Sequence, residues 1–237
     1  MSNQDLQFLS LQTLEEGIVL LTLKNPEKRN ALTEGMIDEL VSSLKALDLD
    51  DSIRVVIITG EGKAFSAGGD IKAMKNKSGM FAGESDELML RYQRGIQQIP
   101  RSIENFGKPL IAMLNGPAVG AGCDLACMCD IRIGNTRAKI GETFAKLGIV
   151  PGDGGSFFLQ RIVGYAKAME MLLTGRVYSP EECYGMGLLN QLVEEDKLRE
   201  TTLNWAREIA ANVPLSLKLS KSALKAARTT DLNTQLD

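Results

Sequence analysis

Histidine is absent from all 237 residues. That excludes Ser-His and Cys-His nucleophile pairs and every imidazole-based metal site. Cysteine is scarce, with four in the chain, and Cys123, Cys127 and Cys129 stand at a spacing that fits no zinc pair. They read as small buried residues, and no metal site is expected. No unbroken apolar run is long enough to span a bilayer. Charge of one sign does not dominate either: 27 basic against 30 acidic side chains leave −3. Nothing in that balance draws the chain to nucleic acid or to an anionic membrane. The first residues, Met1 to Asp5, lack a basic segment followed by an apolar one, so no signal peptide is read there. A cytoplasmic, soluble protein is expected. Any catalysis must rest on carboxylates, lysines, hydroxyls or backbone dipoles.

What is present is a chain long enough for a sizeable core, with 44% apolar and 24% charged residues. Residues 6 to 24 alternate around Glu15-Glu16-Gly17 and read as a two-stranded hairpin. Asn25 to Asn30 is a turn. Thr33 caps a helix whose apolar face carries Met36, Ile37, Leu40, Val41, Leu44 and Leu47. Val55 to Thr59 reads as a buried strand. Lys75 to Gly83 is polar, contains glycine and reads as mobile. From Ser85 one long helix is expected, with Leu88, Tyr92, Ile96, Ile99, Ile103 and Phe106 on its buried face. Further strands are read at Leu110–Leu114, Ile131–Ile133 and from Lys139. Later helices are read at Ala166–Leu173, Pro180–Gly185, Leu198–Ala211 and Pro214–Ala227. The fold class is α/β, with strands crowded into the first half and no linker.

Two stretches share one layout, a buried strand, a loop of small residues and a helix start. The first is Lys63-Ala64-Phe65-Ser66-Ala67-Gly68-Gly69-Asp70-Ile71, with Asp70 as helix cap; the second is Asn115-Gly116-Pro117-Ala118-Val119-Gly120-Ala121-Gly122, running into Cys123-Asp124-Leu125. Small residues let backbone N–H groups approach a ligand, and a helix N-terminus adds positive potential. Two such loops suit one shared oxyanion or phosphate. A plain nucleotide-phosphate binder is disfavoured because no Lys-Ser/Thr phosphate motif accompanies the glycines.

These two stretches, together with Pro26-Glu27-Lys28-Arg29-Asn30-Ala31-Leu32 and Pro151-Gly152-Asp153-Gly154-Gly155, resemble the enoyl-CoA hydratase/isomerase (crotonase) superfamily, in the right order over nearly the whole chain. The resemblance implies a crotonase-like spiral of ββα repeats over residues 1–195. It also implies a C-terminal helical region, 196–237, that mediates trimers or hexamers as dimers of trimers. The implied substrate is an acyl-CoA thioester, with coenzyme A arriving as part of the substrate and no further cofactor. By the same likeness the backbone N–H groups of Ala67 and Ala121 form an oxyanion hole. Lys28, Arg29 and Ala31 match the CoA-contacting segment. Ala64, Ala67, Gly68, Gly69, Asp70 and Ile71, with Gly120 and Ala121, are implied to line the CoA thioester.

Hydratases of the family carry two glutamates. The first position matches Asp124; the second falls on Phe144, which transfers no proton. Some isomerases of the family keep a single acid one position before Asp153. Asp124 and Asp153 are therefore the expected proton-transfer groups, with Asp153 equally readable as a helix cap. Glu142 reads as structural or solvent-facing. The activity expected is that of an enoyl-CoA hydratase or isomerase; a non-catalytic acyl-CoA binder is the alternative.

Overall fold

The computed structural model describes residues 3–236. The chain opens with β1 (Gln4–Asp5), β2 (Leu9–Glu15) and β3 (Ile18–Leu23), followed by α1 (Glu34–Leu49) and β4 (Val55–Gly60). Next come α2 (Ile71–Lys75), α3 (Ser85–Arg94), α4 (Gln98–Asn105), β5 (Leu110–Leu114) and β6 (Ala118–Val119). Then follow α5 (Ala121–Met128), β7 (Ile131–Asn135), β8 (Ile140–Gly141), α6 (Gly155–Val163) and α7 (Tyr165–Thr174). The remainder is β9 (Val177–Tyr178), α8 (Pro180–Gly185), β10 (Gln191–Val193), α9 (Leu198–Ala210), α10 (Pro214–Ala226) and α11 (Leu232–Leu236).

Seven strands form one sheet in the order β1-β2-β3-β4-β5-β7-β10; β6, β8 and β9 form a second, small one. The β2–β3 hairpin is antiparallel, while β3, β4, β5, β7 and β10 run parallel. Parallel strands covered on both faces need apolar side chains at every position, which explains the unbroken Val-Val-Ile-Ile run of β4. Val56 and Ile58 pack with Leu21, Leu40, Leu44 and Leu125 on one side. Val55 and Ile57 pack with Leu20, Ile111 and Ile133 on the other, beneath Leu198 and Ala206 of α9. Each such fully buried aliphatic side chain contributes about 1.5–3 kcal/mol. α9 thus lies on the sheet itself, whereas α10 buries none of its residues.

The cap on α1 forms as the sequence predicts, with the Met36 N–H donating to Thr33 Oγ1 at 3.4 Å. The long helix from Ser85 does not form as one piece. Its backbone leaves the helical region at Gly95 and restarts at Gln98. Pro100 has no N–H to donate four residues back to Ile96, so a continuous helix would lose a bond there. Glu84, not Ser85, precedes the first turn of α3, and its N–H donates to Glu87 Oε2 at 3.2 Å. The stretch read as mobile is also structured: α2 ends in it, Gly79–Phe81 forms a 3₁₀ turn, and Met80 is buried in the core.

Candidate active site

Both small-residue loops end up side by side, because each follows a parallel strand and leaves at the same sheet end. Backbone bonds stitch them together: the N–H groups of Phe65 and Ser66 donate to Pro117 O at 3.0 and 3.2 Å, and Val119 N–H donates to Ser66 O at 3.1 Å. Buried Asn30 anchors the first loop, its side chain donating to Glu61 O (3.0 Å) and Ala64 O (2.9 Å). Arg29 and Asn30 both adopt left-handed backbone, at φ 52° and 56°. That turn aims Arg29 O at the Ala67 N–H, which donates to it at 2.9 Å.

α5 begins where the loops meet. A Cβ on Gly122 would lie 2.3 Å from Ser66 O, so glycine is required for the helix to sit this close. Gly68, at φ +82°, is similarly placed: a Cβ there would lie 2.5 Å from Val119 O and 3.0 Å from the Ala121 nitrogen. Ala121 is the first residue of α5, so its N–H has no partner within the helix. The half-buried Gly69 N–H likewise donates to no acceptor among the described residues. Two N–H groups flanking Gly68 are thus left for a ligand, with the positive end of α5 behind them.

Three acids converge a turn deeper. Asp124 sits in the first turn of α5, Glu142 directly follows β8, and Asp153 lies in the loop before α6. Asp124 and Glu142 are 0% exposed and Asp153 4%. Neither oxygen of Asp124 or Glu142, nor Asp153 Oδ1, has a hydrogen-bond donor among the described residues. Gly155, at the start of α6, touches the group: a Cβ there would be 2.2 Å from Asp124 Oδ1. Burial, and next the charges of Asp153 and Glu142, push the Asp124 carboxyl well above the ordinary range. Burial raises Glu142 and Asp153 as well, while the adjoining Asp124 carboxyl opposes the rise in each. Tyr92 of α3 lies beside this loop, a Cβ on Gly152 standing 3.3 Å from its Cε1, and its phenol is raised by burial and by the Asp153 charge. The Phe144 ring is buried against Gly120, with a Cβ on Gly120 lying 3.9 Å from Phe144 Cζ.

Outside the loops, Asp70 caps α2 by accepting from Ala73 N–H at 3.0 Å and pairs with Lys28 Nζ at 2.9 Å. The Lys28 hydrogen bond, then the Ala73 bond, hold Asp70 below the usual carboxylate range. A cleft of about 460 Å³ opens beside this pair, lined by Leu32, Thr33, Ala73, Met80 and Phe81.

A family model described as enoyl-CoA hydratase/isomerase matches residues 13–237. The 1,2-epoxyphenylacetyl-CoA isomerase of Escherichia coli strain K12 is 35% identical, over 96% of this chain and 86% of that protein. The crotonyl-CoA hydratase of Syntrophomonas wolfei is 37% identical, over 92% of this chain and 82% of that one. The crystal structure of an enoyl-CoA hydratase from Bacillus anthracis superposes with a TM-score of 0.90 at 32% identity, covering 97% of this chain and 87% of that chain. The chain belongs to the enoyl-CoA hydratase/isomerase family. The crotonase fold read from its motifs is the fold it has.

On which atoms are free to act, the structure departs from the sequence reading at Ala67 and narrows it at Asp153 and Glu142. Ala67 was expected to supply a hole N–H, but Arg29 O takes it; the free donor next to Gly68 is Gly69. The left-handed Arg29-Asn30 turn that does this has no glycine to announce it. Asp153 is no helix cap, since Gly154 holds the capping position and no side chain bonds there. Glu142, read as structural or solvent-facing, does not face solvent: it is sealed against Asp124, and the structural reading stands open. Its one sequence signal was an acid directly after a buried strand, flanked by Ile140 and Phe144. Ala121 and Asp124 stand where they were expected, at the mouth and in the first turn of α5. Ala64, Gly120 and Ile71 frame the loops, and Lys28, Arg29 and Ala31 line the adjoining turn.

Proposed function

We propose that this protein shifts the double bond of an enoyl-CoA thioester by proton transfer. The observation that carries the reading is a buried acid pair, Asp124 with Asp153, set one helical turn behind two unpartnered N–H groups. An ionised Asp153 takes a proton from C2 of a 3-enoyl thioester. The electron pair moves into the thioester carbonyl, and the dienolate oxygen is held by the Gly69 and Ala121 N–H groups. Protonated Asp124 gives its proton to C4, and the new double bond lies between C2 and C3. The two acids have exchanged roles, and the proton returns across their contact. Donors fixed by the fold stabilise the developing charge without reorganising, each contributing about 2.7–4 kcal/mol. One paired acid and base suffices for this step. Phe144 keeps an apolar ring where a second hydratase acid would stand.

Hydration of a 2-enoyl thioester is the second reading, favoured by the crotonyl-CoA hydratase relative. Incubating 3-enoyl-CoA and, separately, 2-enoyl-CoA in deuterated water, with NMR readout, separates them. Interconversion with label at C4 and C2 supports isomerisation; a 3-hydroxyacyl product overturns it in favour of hydration. No change with either substrate, with CoA binding intact, leaves the non-catalytic binder.

A homotrimer or dimer of trimers in the cytoplasm completes the proposal. Leu215, Leu219 and Leu224 on α10 are more than half exposed, as a helix waiting for a neighbouring copy would be. All four cysteines are free and buried, which suits a reducing compartment. No helix among the described residues is long and apolar enough to cross a membrane. Sedimentation at micromolar concentration reads the assembly size directly.

A further inference from the structure

The proton-transfer pair needs two acids, yet the pocket holds three. Glu142 is fully sealed, and neither of its oxygens meets a donor among the described residues. A structural glutamate at such depth normally meets a cation or backbone N–H groups, because an unpaired buried carboxylate is costly. The groups facing this one are instead acids and thiols. Asp124 and Cys123 face it from α5, with one ligand atom from each of Cys123, Asp124 and Glu142 lying within 4.8 Å of one another. Asp153 adds its charge from the loop before α6, and Tyr92 of α3 feels that same charge. Three ionised carboxylates cannot coexist in so dry a volume, so the group as a whole must retain a proton. A carboxyl–carboxylate hydrogen bond is the short, charge-assisted arrangement open to it.

We propose that Glu142 is a positioning residue that shares a proton with Asp124 and thereby keeps Asp124 the acid of the pair. Asp124 lies on the helix that presents the Ala121 N–H, whereas Glu142 sits behind it, on the strand side. Glu142 acts through Asp124 and need never touch the substrate. Its charge discourages ionisation of Asp124, so that the proton stays on Asp124 until C4 takes it. This role rests on the assignment of Asp124 and Asp153 as the proton-transfer groups.

The test follows the carboxyl C=O infrared band of the unliganded protein across pH, in wild type, Glu142→Gln and Asp124→Asn. A protonated carboxyl band persisting at neutral pH in wild type and lost in Asp124→Asn is expected. In Glu142→Gln one negative neighbour is gone, so the band's midpoint moves down by about one pH unit or more. The alkaline limb of kcat for enoyl-CoA isomerisation moves down with it, KM is little changed, and Glu142→Asp restores much of the wild-type profile. A midpoint unmoved in Glu142→Gln overturns the proposal, whatever happens to thermal stability. So does a wild type with no protonated carboxyl at neutral pH. If the band behaves as described but no enoyl-CoA is turned over, the proton sharing stands and the reaction assigned to the site fails.

Discussion

Gly68→Ala tests the placement of the oxyanion hole most sharply. The new Cβ would stand 2.5 Å from Val119 O and 3.0 Å from the Ala121 nitrogen, both backbone atoms of the loop that starts α5. It would also hold a non-glycine residue at φ +82°, which costs about 1–2 kcal/mol. Relief comes from pushing the first turn of α5 away from Gly69, and a shift of tenths of an ångström spoils convergence on one oxygen. Losing one donor reduces kcat about a hundred- to a thousandfold. Stability should fall too, by about 2–4 °C in Tm per kcal/mol for a chain of this size. Gly187→Ala is the matched control: its φ is +77°, yet a Cβ there meets nothing within 4 Å. It incurs the backbone strain without the clash. Isomerisation rates and melting curves of both variants decide the matter. If Gly68→Ala keeps kcat within threefold of the control while Tm drops, the Gly69 and Ala121 N–H groups are not the hole.

Asp124→Asn should lower kcat about a hundred- to ten-thousandfold, the usual worth of a positioned acid or base. Because the folded-state pKa of Asp124 is raised, its contribution to stability is fully present below the ordinary carboxylate range and lost as pH rises through the folded value. Melting curves from pH 5 to 9 should therefore show Asp124→Asn flattening the alkaline decline; an unchanged slope would refute the raised pKa. Gly155→Ala inserts a methyl 2.2 Å from Asp124 Oδ1 and should depress kcat at all pH values; wild-type kcat would mean that α6 does not hold that carboxyl. Lys28→Ala removes a 2.9 Å pair with Asp70 whose lysine is 54% exposed. Its stability effect should stay within about 1 kcal/mol, while KM for a CoA thioester rises with kcat unaltered; an unchanged KM would move the CoA contact elsewhere.

The elements that a periodic apolar pattern can encode were legible. α1 and β4 lie where Met36-Leu40-Leu44 and Val55–Thr59 placed them, because helix faces and buried strands are written in side-chain spacing. The helix break at Gly95 was not, since the apolar steps continue through it from Tyr92 to Ile96 and Ile99. Which N–H groups stay unpartnered was half legible for a related reason. Small residues announce close approach, but which N–H stays free depends on where a carbonyl from Arg29 happens to point. Likewise Glu142 is one acid among many until β8 and α5 are laid together. Local chemistry is readable along the chain; hydrogen-bond accounting is readable only in three dimensions.

Three buried acids with no cationic side chain bonded to them among the described residues raise the question of what supplies positive potential. The answer lies in the helices. α5 begins at Ala121 and carries Asp124 in its first turn; α6 begins at Gly155, against the same carboxyl. Each helix N-terminus is worth about half a unit of positive charge, within the first turn. Together they offset part of the cost that the acids impose, and on the proposal above a retained proton offsets more. A lysine there would hold the carboxylates ionised and leave no acid to return a proton. In the proposed reaction the same helix ends that make the cluster tolerable also attract the charge that develops on a thioester oxygen, so the strain of this pocket and its reactivity would have one origin.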